Sequence, residues 1–512
     1  MNKNKIFKAT FIVMVMTILS RVIGFGRDIL AAYHFGVEGS YDIYVAAVAI
    51  PESVFMIVGV AITTTFIPML SEIKYNKSKK DMFSFSNNIV NILSLISIII
   101  IILGMIFTKE IVNVFVPNFT VEKIELTIFL TRITLFNIIL LCINACFASI
   151  LQVCEDFIIP SIVGIFFNLP IIGYLLLFKD VSIVGLTIAN VTGNLLRVLI
   201  QIPSLYKNGY RIKLFINFKD EKLRKMFVLI IPVIIGAGAN SINMLVDKSV
   251  ASGLATGSMA SLEYSQRIIQ FANTAITTSL VSVVYPLMAN RLNEGDKEGF
   301  LKYLTKSIVT ICLFLVPMTF GIIFLSSDIV KVIYERGKFD SNAVILTSMA
   351  LLGYSIQLPF AGVRDILNSS LYSMKNTKIA TINGVIGVIF NIILSITLSK
   401  FFGVLGIAVA TSISAVIIAI LLLNSTRKII GEFNIKELFI KIIKITMSSL
   451  IMIIFLYFLN KFVIIENSFL IILLDGIVGA IIFFVLCKIF RIEEFEDALN
   501  IIKDKSTRRK SK

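Results

Sequence analysis

Apolar runs long enough to cross a lipid bilayer recur along the whole chain. A helix of about 20 apolar residues spans the hydrocarbon core, and the 512 residues contain about fourteen such runs. Hydrophobic residues make up 57% of the sequence and charged residues 16%, which leaves no polar segment large enough for a separate soluble domain. Backbone polar groups in lipid must bond within their own segment, so such runs fold as helices. The sequence predicts an all-α polytopic membrane protein.

The short connections between the runs alternate in charge. Lys and Arg collect in residues 74–80, 207–225 and 291–302, whereas residues 37–41 and 252–259 contain neither. Cytoplasmic loops carry the basic excess in membrane proteins, so this alternation predicts that both termini are cytoplasmic. The net charge of +16 is spread over short loops and does not form one basic domain. Nucleic acid is therefore not an expected partner.

An internal repeat relates the first and second parts of the chain. Residues 39–68 align without gaps on residues 257–286, and SIVGIFFN ending at Asn168 matches GVIGVIFN ending at Asn391, an offset of about 220 residues. An even number of helices per repeat gives both copies the same orientation. We predict two parallel six-helix repeats plus two extra C-terminal helices, a plan typical of transporters. The predicted domains are residues 1–225, 226–430 and 431–490, followed by a basic cytoplasmic tail at 491–512.

The first span carries charge on one face. Arg21, Arg27 and Asp28 fall with small and polar residues within roughly a 120° arc of the helix. A charged side chain near the bilayer centre costs at least about 2.5 to 3.5 kcal/mol. Two arginines with one carboxylate therefore favour a water-filled cavity that receives an anion. The alternative is a structural ion pair between Arg21 and Asp28, two turns apart.

Patterns of catalysis and metal binding are missing from the sequence. The five cysteines form no CxxC pair, and His34 is the only histidine. No nucleophile with a base and no Gly-rich phosphate loop occurs. We expect a protein that is not an enzyme and that carries no cofactor.

Several motifs point to one family. They are SRVIGFGRDILAAYHFG in the first span, SYDIYVA, IPESVF and TTTFIPMLSE in the second, NMLVDKSVASGLATGSMASLEYSQRI, YERGKFD, and LYSMKNTKIATINGVIGVIFNIILS. Together they resemble the MurJ (MviN) family of lipid II flippases, within the multidrug/oligosaccharidyl-lipid/polysaccharide exporter superfamily. The resemblance extends over the first twelve predicted spans.

The resemblance implies a function and a site. Such proteins move undecaprenyl-pyrophosphate-linked peptidoglycan precursor from the inner to the outer leaflet of the bacterial cell membrane by alternating access, for cell wall synthesis. The implied substrate-binding residues are Arg21, Arg27, Asp28, Asp42 and Arg267. Planar guanidinium groups suit a pyrophosphate because they bind phosphate bidentately. The expected partners are this anionic lipid and membrane lipids, with cell wall synthesis proteins as further candidates, and the chain is expected to be a monomer.

Some positions depart from the family's pattern. Phe55 stands where several relatives carry an arginine, Gln270 where they carry an acidic residue, and Glu52 where a neutral residue is common. The cavity charge therefore differs, and alternatives stay open. These are a flippase for another lipid-linked oligosaccharide, a drug or cation antiporter of the same fold, and a non-transporting scaffold. Cavity arginines would repel a cationic drug, which disfavours the antiporter.

A possible ion site is also implied by the resemblance. Similar proteins are suggested to hold sodium with a carboxylate on span 7 and polar groups of spans 11 and 12, here Asp247 with Asn383 or Asn391. Carboxylate and amide oxygens suit a hard cation, and a structural role is the alternative. Na⁺ or the membrane potential is the expected coupling force. Arg132, Arg197 and Arg364 could line the cavity, snorkel to an interface or pair helices.

The C-terminal tail has an amphipathic pattern. Ile492, Phe495, Leu499 and Ile502 share one helical face and precede a basic end. This pattern predicts either a short helix on the anionic membrane surface or a solvated tail.

Overall fold

The computed structural model describes residues 3–374, 376–431, 434–463 and 465–497, and all regular secondary structure in these ranges is helical. The chain forms two compact units. The first comprises the chain up to Ala260 together with Arg336–Asp340, and the second comprises the rest. The helices up to residue 252 are α1 Lys3–Phe35, α2 Gly39–Asn76, α3 Lys79–Ile106, α4 Thr108–Phe115, α5 Val121–Thr134, α6 Asn137–Val153, α7 Ile158–Leu177, α8 Ile183–Leu199, α9 Ile202–Lys207 and α10 Glu221–Ser252.

The remaining helices belong to the second unit, except that α11 begins in the first. They are α11 Ser258–Asn293, α12 Lys297–Phe324, α13 Ser326–Tyr334, α14 Ser341–Ser355, α15 Gln357–Ser373, α16 Thr377–Ile430, α17 Ile435–Phe462 and α18 Ser468–Ile489. Short polar side chains begin several of them. Ser78 accepts a hydrogen bond from the backbone N–H of Asp81, and Asn434 accepts one from that of Glu437. Such caps satisfy N–H groups that have no partner within the helix, and they fix where each helix starts.

The predicted membrane fold is confirmed. Within the described residues, ten helical stretches are long and apolar enough to cross a membrane, or eleven when α14 and α15, bent by 40°, are taken as one span. The prediction of about fourteen spans is not confirmed by this criterion. One reason is α16, which contains two helices joined at Gly403, where φ is +56°. Side chains other than glycine rarely adopt that backbone conformation.

Each unit has its own apolar core. The core of the first includes Ile62, Phe66 and Leu70 of α2, all fully buried. Helix α10 packs on α2, and for this reason the first compact unit extends to residue 260. The internal repeat predicts a boundary at residue 225 between the two six-helix bundles, and that division stays a prediction.

The beginning of the C-terminal tail packs into the second unit. Ile492 is 1% exposed, and the ring of Phe495 stacks on that of Phe484 with centroids 5.4 Å apart. The expectation that these two residues lie on the membrane surface or in solvent was wrong, because they find an apolar partner in the protein's own core. Leu499 and Ile502 lie outside the described residues.

Candidate functional site

The charged face of α1 contains an ion pair between neighbours. The Arg27 guanidinium donates to Asp28 through Nη2 at 2.6 Å and through Nε at 3.1 Å. Both side chains are largely buried, whereas Arg21 is exposed and pairs with no carboxylate in the described part of the chain. The predicted alternative of an Arg21–Asp28 pair was therefore wrong. Asp28 is neutralised by the residue next to it in sequence.

An aromatic ring in α7 brings a third arginine to this region. The Cζ atom of Arg27 lies 5.4 Å from the centroid of the Phe167 ring, and that of Arg197 lies 3.8 Å from the same centroid. Guanidinium groups are attracted to aromatic faces, and more strongly so away from water. Of the three roles left open for Arg197, the structure shows helix pairing, because its side chain joins α8 to α7.

A buried polar network continues from Arg197 along α8. Asn194 accepts from the Arg197 guanidinium and donates to Asn137 of α6, which in turn donates to Asn190. Asn190 donates to the Tyr44 hydroxyl on α2 at 3.0 Å. Sequence reasoning missed this network. The signal was the row of polar residues at helical spacing on span 6, namely Asn190, Asn194, Arg197 and Gln201.

Arg267 also pairs with a carboxylate on its own helix. In α11 its Nη2 lies 2.7 Å from Oε1 of Glu263, one turn earlier, and the two side chains are 39% and 24% exposed. Glu263 was not among the predicted site residues, although its spacing of four residues was visible in the sequence. Arg27 and Arg267 thus share one arrangement, in which a guanidinium is held by a nearby carboxylate of the same helix.

Asp42 occupies a different environment from the arginines. It lies in the first turn of α2, is 3% exposed, and accepts backbone hydrogen bonds from Gly257 at 2.6 Å and from Ala260 at 2.8 Å. The latter lies in the first turn of α11, where free N–H groups attract a carboxylate. Gly257 has φ +89°, and a Cβ there would lie 2.2 Å from the carbonyl oxygen of Val37. Both carboxylate oxygens of Asp42 are therefore engaged by backbone.

A second segment is bonded to the same stretch of chain. The backbone N–H of Lys338 donates to the carbonyl oxygen of Tyr33 at 2.9 Å. The side-chain Nζ of Lys338 lies 3.3 Å from Oε2 of Glu38. Gly36 has φ +54°, and a Cβ on it would lie 2.3 Å from the Lys338 carbonyl oxygen. We call residues 33–42, with the segments 257–260 and 336–340 bonded to them, the latch.

The residues of the implied ion site have other partners. Asn383 donates to the Ser425 hydroxyl, and Asn391 donates to Thr411 while its carbonyl oxygen accepts from Ser395, so both asparagines join the two halves of α16. Asp247 lies 3.4 Å from the amide nitrogen of Asn243 on α10. Among the described residues, no group of three or more His, Cys, Asp or Glu is placed to hold a metal ion. The sodium site stays a prediction, with Asp247 and either Asn383 or Asn391 as its ligands.

The fold and the site define the class of protein. Arg267 and its partner Glu263 lie in α11, one of the helices long and apolar enough to cross a membrane, where charge is retained for function more often than for stability. The latch is held by a few polar contacts and by glycines that permit close approach, which suits a closure that opens and re-forms. An all-helical membrane protein with these features is a multi-pass membrane transporter.

Comparisons with known proteins identify the family. The chain belongs to the family described as "Lipid II flippase MurJ", whose model matches residues 31–474. The lipid II flippase MurJ of Thermosipho africanus is 31% identical over 470 residues, which cover 92% of this chain and 94% of that protein. The probable lipid II flippase MurJ of Buchnera aphidicola subsp. Acyrthosiphon pisum is 29% identical over 460 residues, covering 88% and 90%.

Solved structures agree with this assignment. A structure titled lipid II flippase MurJ in an inward closed conformation matches with a TM-score of 0.81 and 28% identity, covering 96% of this chain and 100% of that chain. An inward-facing multidrug resistance MATE transporter of the MOP superfamily matches with a TM-score of 0.67 and 14% identity, covering 82% and 98%. The second match shows a shared fold alone.

Proposed function

We propose that this protein flips lipid II, the undecaprenyl-pyrophosphate-linked peptidoglycan precursor, from the inner to the outer leaflet by alternating access. Membership of the flippase family supports the reaction. The observation that carries the binding step is that Arg27 and Arg267 are each held by a carboxylate of their own helix.

The carboxylates hold the arginines until pyrophosphate takes their place as the partner of each guanidinium group. A guanidinium paired with a carboxylate stays neutralised within the membrane while the site is empty, which lowers the cost of burying it. A pyrophosphate presents similar oxygen acceptors with more negative charge, so it replaces the carboxylate on the same planar group. Arg21, which has no carboxylate partner in the described residues, supplies further positive charge. The sugar and peptide add selectivity, and the prenyl chain remains in lipid.

The latch provides the closure that alternating access requires. The predicted topology places the loops at residues 37–41 and 252–259 outside the cell, with both termini in the cytoplasm. In this proposal the contacts of Asp42 with Gly257 and Ala260 close the outer side and break when the substrate leaves. The coupling force is the membrane potential or a Na⁺ gradient, and the protein acts as a monomer, with cell wall synthesis proteins as partners.

Complementation tests the assigned arginines. Alanine at Arg21, Arg27 or Arg267 should abolish growth of a flippase-depleted strain with normal protein in the membrane, and lysine should restore only part, because a point charge replaces a planar group. Arg291→Ala is the matched control. Arg291 lies on the same helix as Arg267 but is exposed at its end, beside Glu294 and Asp296, and its loss should leave growth unchanged.

Direct binding tests the substrate. Purified protein should bind lipid II more tightly than undecaprenol, and Arg267→Ala should remove most of the difference. Equal binding of both lipids would contradict the proposal. A preference for a lipophilic cation would instead indicate an antiporter of the same fold.

A further inference from the structure

A buried carboxylate lies in the last described span, outside the predicted repeats. Asp475 is seven positions after Ser468, the first residue of α18, or about 10 Å along the helix. The residue is 1% exposed. The helix is one of the stretches that can cross a membrane, so this carboxylate is enclosed by protein within a span.

The contacts of Asp475 leave its charge without compensation. Oδ2 accepts a hydrogen bond from the amide of Asn460 on α17 at 2.7 Å, whereas Oδ1 is buried with no hydrogen-bond partner among the described residues. Asp328, at the start of α13, accepts from the Ser468 hydroxyl at 2.7 Å and acts on Asp475 as a like charge.

Basic groups on the neighbouring helices do not neutralise it. Helix α18 packs against α17 and α13. Lys331 on α13 and Lys461 on α17 are the basic side chains of these helices at the Asp475 end, and neither pairs with Asp475 in the described structure. Lys441 on α17 lies 19 positions before Asn460 and pairs instead with Glu437, Glu493 and Glu494.

The buried carboxylate of Asp475 requires a group that neutralises its charge. An ionised carboxylate enclosed within a membrane span is strongly disfavoured, and more so when a like charge is close. A hard metal cation takes about six oxygen ligands, whereas the surroundings offer one carboxylate and one amide. A proton neutralises the carboxylate and needs no further ligand.

We propose that Asp475 is a proton-binding site: its carboxyl group carries a proton on Oδ1 while α17 and α18 are packed together, with Oδ2 as the carbonyl oxygen that accepts from Asn460. When the two helices loosen, the proton passes to water and leaves the carboxylate ionised. The protonation state of Asp475 is thereby tied to the packing of the two helices that follow the repeats. This inference does not depend on the substrate of the transporter.

Infrared spectroscopy tests the proposal on the full-length protein in lipid nanodiscs. At pH 7 in KCl, the wild-type spectrum should contain the carbonyl band of a protonated carboxylic acid, and Asp475→Asn should lose the intensity of one such group. The substitution is isosteric, and its amide oxygen can still accept from Asn460. Asp328→Asn is the control and should keep the band. Because a like charge is then removed, the band should disappear at a lower pH than in wild type.

A second variant tests the proposal independently of whether Asp475→Asn folds. Asn460→Leu removes the donor to the carbonyl oxygen, so the acid band should persist at a higher wavenumber. Superimposable wild-type and Asp475→Asn spectra in the acid region would overturn the proposal, as would an Asn460→Leu band that does not shift. A carboxylate band that responds to replacement of KCl by NaCl would overturn it in favour of a metal cation.

Discussion

The latch makes a quantitative prediction about Asp42→Asn. The carboxylate accepts from the backbone N–H groups of Gly257 and Ala260 with its two oxygens. An asparagine side chain has one carbonyl oxygen, so one N–H loses its acceptor and faces an NH₂ group instead. A hydrogen bond to a charged acceptor contributes about 1.5 to 3 kcal/mol. If the loss falls on the closed latch, the ratio of open to closed molecules should rise about 10-fold to 150-fold.

Cysteine labelling measures that ratio directly. Ser258 lies between the two bonded N–H groups and is fully buried, so Ser258→Cys should react with a thiol reagent only when the latch opens. The five native cysteines are replaced first. When opening is fast compared with labelling, the rate is proportional to the open population. Asp42→Asn should therefore accelerate labelling by the same factor.

The matched control is Glu38→Gln in the same segment. Its ion pair with Lys338 is 3.3 Å long, and the two side chains are 50% and 58% exposed. Exposed pairs contribute about 0 to 1 kcal/mol, so labelling should rise by no more than about fivefold. Equal rates for wild type and Asp42→Asn, with both proteins folded, would refute the role of Asp42 in holding the latch.

Two other predictions concern the loops and the tail. Cysteine at the exposed position Thr256 should react with an impermeant thiol reagent in intact cells, whereas cysteine at Lys77 or Lys219 should react only after the membrane is opened. Labelling of Lys219→Cys in sealed cells would contradict the predicted orientation. A hydrogen bond from Lys441 lowers the pKa of Glu493, and one from Lys306 lowers the pKa of Asp497. The stability that these two ion pairs add to tail packing is therefore present above the unfolded pKa of about 4, and it is lost as pH falls through the lower folded pKa values. The chain has no tryptophan, so the fluorescence of Phe484→Trp, beside Phe495, should report the loss of tail packing at low pH. Lys441→Ala should move this fluorescence change to higher pH. A fluorescence signal independent of pH would argue against these ion pairs.

Local properties of the sequence determined the fold class and the family. Lipid requires each span to satisfy its own backbone, so hydropathy alone identified helices, and the charged face of α1 was visible from a 3.6-residue period. The motifs shared with the flippase family are continuous stretches of chain. Each of these features depends on residues that are close in sequence.

The tertiary structure decided which groups meet. Asp42 bonds to Gly257 across a separation of 215 positions, and no local pattern specifies that contact. The structure also shows that Asp28 pairs with Arg27 and not with Arg21. In the sequence Asp475 is one polar residue in an apolar run, and the packing of α18 on α17 and α13 buries it. Hydropathy is a sum over neighbours in sequence, whereas ion pairing and burial depend on neighbours in space, and these are fixed only when the helices pack.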